Sequence, residues 1–349
     1  MNVELRSQLL ALSIGLFCGV SAFFVGLPLP WMLGPMIGNT VGAILHAPVG
    51  APNQLRPFVI PVIGVMLGSA VTSDIFGLLG SWASTLILLP AFLCVAATAS
   101  YTVYRRIGGF DPVTSFYAAM PGGLNEMLIL GAEAGGNERR IALAHAARIL
   151  VVIIFVALFF GLFLGVSSGS RGALNWVGFS ALTVMDYVVL GLCALGGFWL
   201  GKLLRLPAAP VFGPLILSGA AHIIGWVTVA PPTVFVIAAQ VTMGTIIGTR
   251  FAGATFAEVR RDLGLAMIAT LCMLILAVIF AAIIAGLSGL PLAQAFLAYS
   301  PGGLTEMSLL TLAMDQDVVY VSVMHVIRIT LVIAIASTIF KLIGIGHHG

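Results

Sequence analysis

The sequence predicts an all-α polytopic membrane protein built from two inverted repeats of about five transmembrane helices. Each repeat is expected to carry a Pro-Gly-Gly re-entrant hairpin or broken helix. Three observations lead there. Hydrophobic residues make up 60% of the 349 positions and charged residues 8%, with a mean hydropathy of +1.15. Apolar runs recur along the chain at the length of ~20 residues that crosses a ~30 Å hydrocarbon core as a helix. One motif is also written twice: Pro121-Gly122-Gly123-Leu124-Asn125-Glu126-Met127 returns 180 residues later as Pro301-Gly302-Gly303-Leu304-Thr305-Glu306-Met307. This composition excludes a soluble domain, and the alternating patterns of a membrane β-barrel are absent from the sequence.

In chain order, the first span is about 9–25, retained rather than cleaved, and Leu27-Pro28-Leu29-Pro30 ends it. Proline breaks a helix because it lacks the N–H donor and its ring clashes with the preceding turn. A second span runs from Trp31 to about His46 with Gly34-Pro35 inside it. Arg56 precedes a third span reaching about Leu79, whose Gly64 and Gly68 allow close helix approach in lipid. The fourth span, about 83–104, ends at Arg105-Arg106. Two half-helices follow, about 112–120 and 124–134, hinged at Pro121-Gly122-Gly123, and a long span covers about 141–166. The second half repeats this plan at about 183–201, 210–227, 232–250 and 264–286, with half-helices near 291–299 and 304–314 and a final span over about 318–341. Gly213-Pro214 echoes Gly34-Pro35, and Gly244 and Gly248 echo Gly64 and Gly68. Thin but ordered identity is what an old duplication leaves. The repeats divide the chain into 1–170 and 171–349, with a linker around Arg171.

Charge placement decides the relative orientation of the repeats. Arg148 and Arg328 lie within spans; the other Lys and Arg residues lie between or at the ends of spans. If each Pro-Gly-Gly element crosses fully, the repeats are parallel and the basic residues split six against seven. If each element re-enters, the second repeat is upside down, and twelve fall on the N-terminal side against Arg171 alone on the other. The positive-inside rule prefers the second arrangement, with both termini cytoplasmic. Half-helices of this length rise only about 13–17 Å, enough to reach the midplane and turn back.

The two breaks are the candidate site. A half-helix starting after Gly122-Gly123 or Gly302-Gly303 offers free N–H groups and a positive dipole end to an anion, and carbonyls before the break can hold a cation. The alternative is a packing kink at Pro121 and Pro301. Glu126 and Glu306 stand at the third helical position, where a carboxylate can fold back as a cap. As buried acids they are also candidates to exchange H⁺ or Na⁺. Asn125 and Thr305 supply neutral donors and acceptors beside them. His145 with Arg148, and His325 with Arg328, lie three apart and share a helix face. The arginines are candidates for carboxylate recognition through their planar fork, or for an ion pair with Glu126 or snorkelling to the interface. The histidines read as buried hydrogen-bonding groups, because nothing supplies a third metal ligand. The four cysteines, in apolar spans without C-x-x-C spacing, read as small hydrophobes. Arg250, Glu258, Arg260-Arg261 and Asp262 read as a mixed-charge loop, and Asp186 has no evident partner.

The doubled P-G-G-L-x-E-M followed by H-x-x-R resembles the AbrB-type membrane protein family, whose members carry a duplicated domain, and the resemblance covers essentially the whole chain. Some members bear names such as regulator or ammonia monooxygenase. The residues here favour neither, since no DNA-binding segment and no histidine cluster for copper or iron is present in the sequence. In architecture the chain is similar to the cation–proton antiporter and anion transporter superfamily, especially citrate/malate sodium symporters. The resemblance implies a non-enzymatic secondary transporter without a cofactor in the bacterial inner membrane. It would move a small organic anion with H⁺ or Na⁺ by displacing a hairpin-bearing domain within a homodimer, with lipid as its surroundings and no nucleic-acid partner. A channel or small-molecule sensor is the rival reading, and a membrane monooxygenase a weaker one.

Overall fold

The computed structural model describes residues 3–27, 29–72, 79–163, 176–206, 208–253 and 256–342. Among the described residues each half contributes seven α-helices. The first half gives α1 (Val3–Phe24), α2 (Pro30–Ile44), α3 (Arg56–Ser69), α4 (Ala83–Thr102), α5 (Pro112–Ala119), α6 (Leu124–Glu133) and α7 (Glu138–Phe163). The second gives α8 (Val184–Leu203), α9 (Ala209–Ile224), α10 (Thr233–Gly248), α11 (Phe256–Ser288), α12 (Leu292–Tyr299), α13 (Leu304–Ala313) and α14 (Val318–Leu342). The described residues contain no strand, and six helical segments are long and apolar enough to cross a membrane. Pro28, Pro207 and the linker around Arg171 lie outside the described residues.

Several helix limits differ from the sequence expectation. Helix α3 stops at Ser69 instead of near Leu79; its last turn tightens, with Ala70 and Val71 N–H bonding the Leu67 and Gly68 carbonyls and Ser69 Oγ bonding Met66 O. Helix α4 runs on through a wider π-helical turn, Val103–Ile107. Helix α11 begins at Phe256, so Arg260, Arg261 and Asp262 sit on its opening turns and not in a loop. Helix α8 starts with a capping box, in which Thr183 and Asp186 each bond the other's backbone N–H. That gives Asp186 its partner.

The chain folds into two compact units, each assembled from both halves. One comprises Met1–Leu78, Val156–Gly253 and Ser308–Val319; the other comprises Leu79–Phe155, Ala254–Met307 and Tyr320–Gly349. In the first unit, α3 packs on α9 and α10 packs on α2, so each half's third helix meets the other half's second. Glycine makes these crossings possible. A Cβ on Gly64 or Gly68 would strike the carbonyls of Val211 or Leu215, and one on Gly244 or Gly248 those of Met32 or Met36. The duplication extends to backbone conformation: Leu29 and Ala208, just before α2 and α9, both hold left-handed φ values, 46° and 49°.

The second unit contains α4, α5, α6, most of α7, α11, α12, the first turn of α13 and most of α14. Tyr104, Phe110, Ala118, Ala119, Ala144, Leu265 and Ala269 form part of its core, joining α4, α5, α7 and α11. A second set of aromatic side chains ties α4, α11, α12 and α14. Phe92 and Phe280 pack on Tyr299, whose hydroxyl donates to the Thr85 carbonyl at 2.7 Å, and Thr85 Oγ1 bonds Tyr320 Oη at 2.7 Å.

Candidate functional site

Both breaks belong to the second unit, and their construction is local. Asp111 caps α5 by accepting from the Thr114 N–H at 2.8 Å, and Pro112 suits the first turn, where no donor is needed. The helix ends where Met120 turns extended, at φ −63° and ψ 127°, and Ser300 does the same at φ −58° and ψ 134°. The next helix starts after an extended Gly123. Helices α5 and α6 lie side by side. The Asn137 N–H beyond α6 bonds Thr114 Oγ1 at the start of α5, 2.8 Å away. A Cβ on Gly131 would meet Tyr117 Cβ at 3.3 Å, so small size here sustains the pairing.

The H-x-x-R pairs grip these breaks. Arg148 Nη1 donates to the Met120 carbonyl at 2.9 Å, and its Nη2 to the Gly122 carbonyl at 3.5 Å and to His145 Nδ1 at 2.9 Å. Arg328 repeats the set on Ser300 O at 2.6 Å, Gly302 O at 2.6 Å and His325 Nδ1 at 3.1 Å. Because a guanidinium only donates, each Nδ1 must accept; the ring proton therefore sits on Nε2 and is donated to Tyr117 O at 2.9 Å or Leu297 O at 3.0 Å. Each histidine is neutral, and it holds the arginine while anchoring to the half-helix before the break. The positive charge lies against the carbonyl end of α5 or α12, where a helix dipole favours it.

This geometry corrects one expectation. The arginines do not snorkel: they are 5% and 2% exposed, and their terminal nitrogens bond backbone carbonyls and a histidine. The carboxylates lie over the second glycine of each break instead. A Cβ on Gly123 or Gly303 would overlap Oε2 of Glu126 or Glu306, so these glycines make room for an acid folded back toward the start of its own helix. The first glycine accommodates the motif's methionine, since a Cβ on Gly122 or Gly302 would meet Met127 or Met307.

The two copies are not equivalent. Glu126 is exposed, whereas Glu306 is 6% exposed. Thr305 is buried, and the side chain of Asn125 lies outside the described side chains. Pro121 and Pro301 are both buried beside their arginine-bound carbonyls. Sequence reading named Thr305 but passed over Ser308 and Thr311, which with it form a row of buried hydroxyls on one face of α13, opposite Asn125, Leu128 and Gly131 in the motif alignment. Their three-residue spacing was the available signal. It also passed over buried Tyr104, and it placed Asp262 in a loop where the structure buries it. Among the described residues no group of three or more His, Cys, Asp or Glu side chains is placed to hold a metal.

Long apolar helices around a doubled, arginine-held break define a multi-pass helical membrane protein with a duplicated polar centre. The chain belongs to the AbrB family: residues 31–344 match the family described as "Transition state regulatory protein AbrB". It is similar to "Uncharacterized protein YhjN" of Bacillus subtilis (strain 168), at 26% identity over 99% of this chain and 94% of the relative. It is also similar to "Putative regulator AbrB" of Escherichia coli (strain K12), at 22% identity over 95% of this chain and 94% of that protein.

Proposed function

We propose that the protein is a secondary active transporter that moves a small organic anion coupled to H⁺ or Na⁺, with two inverted repeats whose helix–break–helix elements re-enter the membrane. The observation that carries this reading is the return of the chain after α6 to the start of α5, through the Asn137 to Thr114 bond. That return favours a hairpin over a crossing, and its 8- and 10-residue arms are each too short for a ~30 Å core. A compact unit built from both halves supports movement of a break-bearing body relative to the rest, in the manner of an elevator. The buried arginines supply positive charge for an anion, and Glu126 and Glu306 are the groups assigned to the coupling ion. The surrounding membrane is assigned as the bacterial inner membrane, with both termini cytoplasmic and a homodimer as the working assembly. "Regulator" in a relative's name raises the alternative of a sensor that binds the same class of molecule without moving it.

Counterflow in proteoliposomes separates these readings. Candidate carboxylates are first ranked by how far they raise the unfolding temperature, since a ligand that binds the folded state stabilises it. Labelled anion should then exchange for unlabelled anion across the bilayer. Stabilisation without exchange favours the sensor, and unitary current steps in recordings from the same vesicles favour a channel.

A further inference from the structure

The arginine fork, the obvious group for grasping a carboxylate, is already taken. Both terminal nitrogens of Arg148 and of Arg328 bond protein carbonyls and a histidine. What remains bare is the Nε of each, buried and without an acceptor among the described residues. A buried donor left unpaired is costly, and the same one is left unpaired at both copies of the motif.

The helix that carries each arginine also reaches the other copy's break. A Cβ on Gly122 would come within 2.8 Å of Val332 Cγ1 on α14, and one on Gly302 within 3.4 Å of Val152 Cγ1 on α7. Val332 stands four residues after Arg328, and Val152 four after Arg148, so each valine shares a helix face with its arginine. Each long helix therefore grips its own break and, one turn on, touches the other's. Two like charges held in neighbouring breaks within a poorly polarisable interior call for an anion, and Glu126 and Glu306 lie over Gly123 and Gly303.

We propose that Arg148 and Arg328 form one shared anion site, in which a single small oxyanion accepts one hydrogen bond from the Nε of each. This rests on the transporter reading for its cargo, and it adds that the two halves build one site and not two. A carboxylate and an inorganic oxyanion satisfy the same donors, so the probes must include both kinds.

The test uses the purified full-length protein labelled with ¹⁵N-arginine and titrated separately with acetate, succinate and sulfate. The Nε–H signals of Arg148 and Arg328, assigned from Arg148→Lys and Arg328→Lys, are expected to shift together with one midpoint and one ion per chain. Response to acetate or succinate but not sulfate marks an organic cargo; the reverse marks an inorganic one. Each lysine variant alone should weaken binding by about tenfold, and the double variant should bind no worse than the weaker single. Because losing an arginine also frees backbone carbonyls, Val332→Asp tests the site with both arginines intact. Its carboxylate beside Gly122 should raise the unfolding temperature and abolish both shifts. Two midpoints, two ions per chain or additive losses would overturn the shared site. So would unmoved Nε signals in a protein that still exchanges labelled anion, and that result leaves transport standing. No shift and no exchange with any probe would overturn both.

Discussion

At the scale of single residues, small size in Gly123 and Gly303 makes room for a carboxylate. Gly303→Ala should push Glu306 from its buried position and cost about 1–3 kcal/mol in unfolding measurements, as overpacking does. Gly123→Ala should cost less, because Glu126 is already exposed and free to move away. Equal costs would mean that the acids are held alike. The arginines give a parallel contrast. Lysine cannot bond two carbonyls and a histidine at once, and a charged hydrogen bond contributes about 1.5–3 kcal/mol. Arg328→Lys, which gives up contacts of 2.6 Å to both carbonyls, should lower the unfolding temperature more than Arg148→Lys, whose second contact is 3.5 Å. The pairing of His145 with Arg148 on one face was legible from their spacing. Their target was not, because the carbonyls of Tyr117, Met120 and Gly122 are 26 to 28 residues earlier and only the folded hairpin brings them near.

At the scale of elements, the order and most limits of the helices follow from the prolines, glycines and arginine pairs that punctuate the apolar runs. The misplaced limits share a cause. Apolar content says where a segment prefers lipid or core, but helices stop and start on hydrogen bonds. Thus α3 ends at Ser69 although the apolar run continues, and α11 begins at Phe256, ahead of the charged Arg260, Arg261 and Asp262 and not after them. The glycine pairs were legible as contact points, though not their partners. Gly64→Val or Gly244→Val should separate α3 from α9 or α10 from α2, with a loss of about 1–3 kcal/mol or more in thermal unfolding. Thr183→Ala, which removes half of the α8 capping box, should cost about 1 kcal/mol. If the valine variants match the parent, these glycines are not close-packing positions.

At the scale of the whole molecule, the sequence divides into halves while contacts divide it into units that each draw on both. A linear reading sees the duplication but cannot see this interleaving, because helix pairing across halves leaves no local trace. The proposed inversion is testable in a cysteine-free background. A single cysteine at Glu138 should label from the cytoplasm and one at Leu292 from outside, whereas the parallel arrangement reverses both. The claim on which the account turns is coupled transport. It is tested most directly by ion-gradient-driven uptake of the ranked anion into proteoliposomes carrying the parent protein, Glu126→Gln or Glu306→Gln. Glutamine keeps the shape and removes the charge. The parent should concentrate the anion, and at least one variant should exchange it across the bilayer yet fail to accumulate it. Accumulation by both variants equal to that of the parent would contradict the account and leave the carboxylates as helix caps.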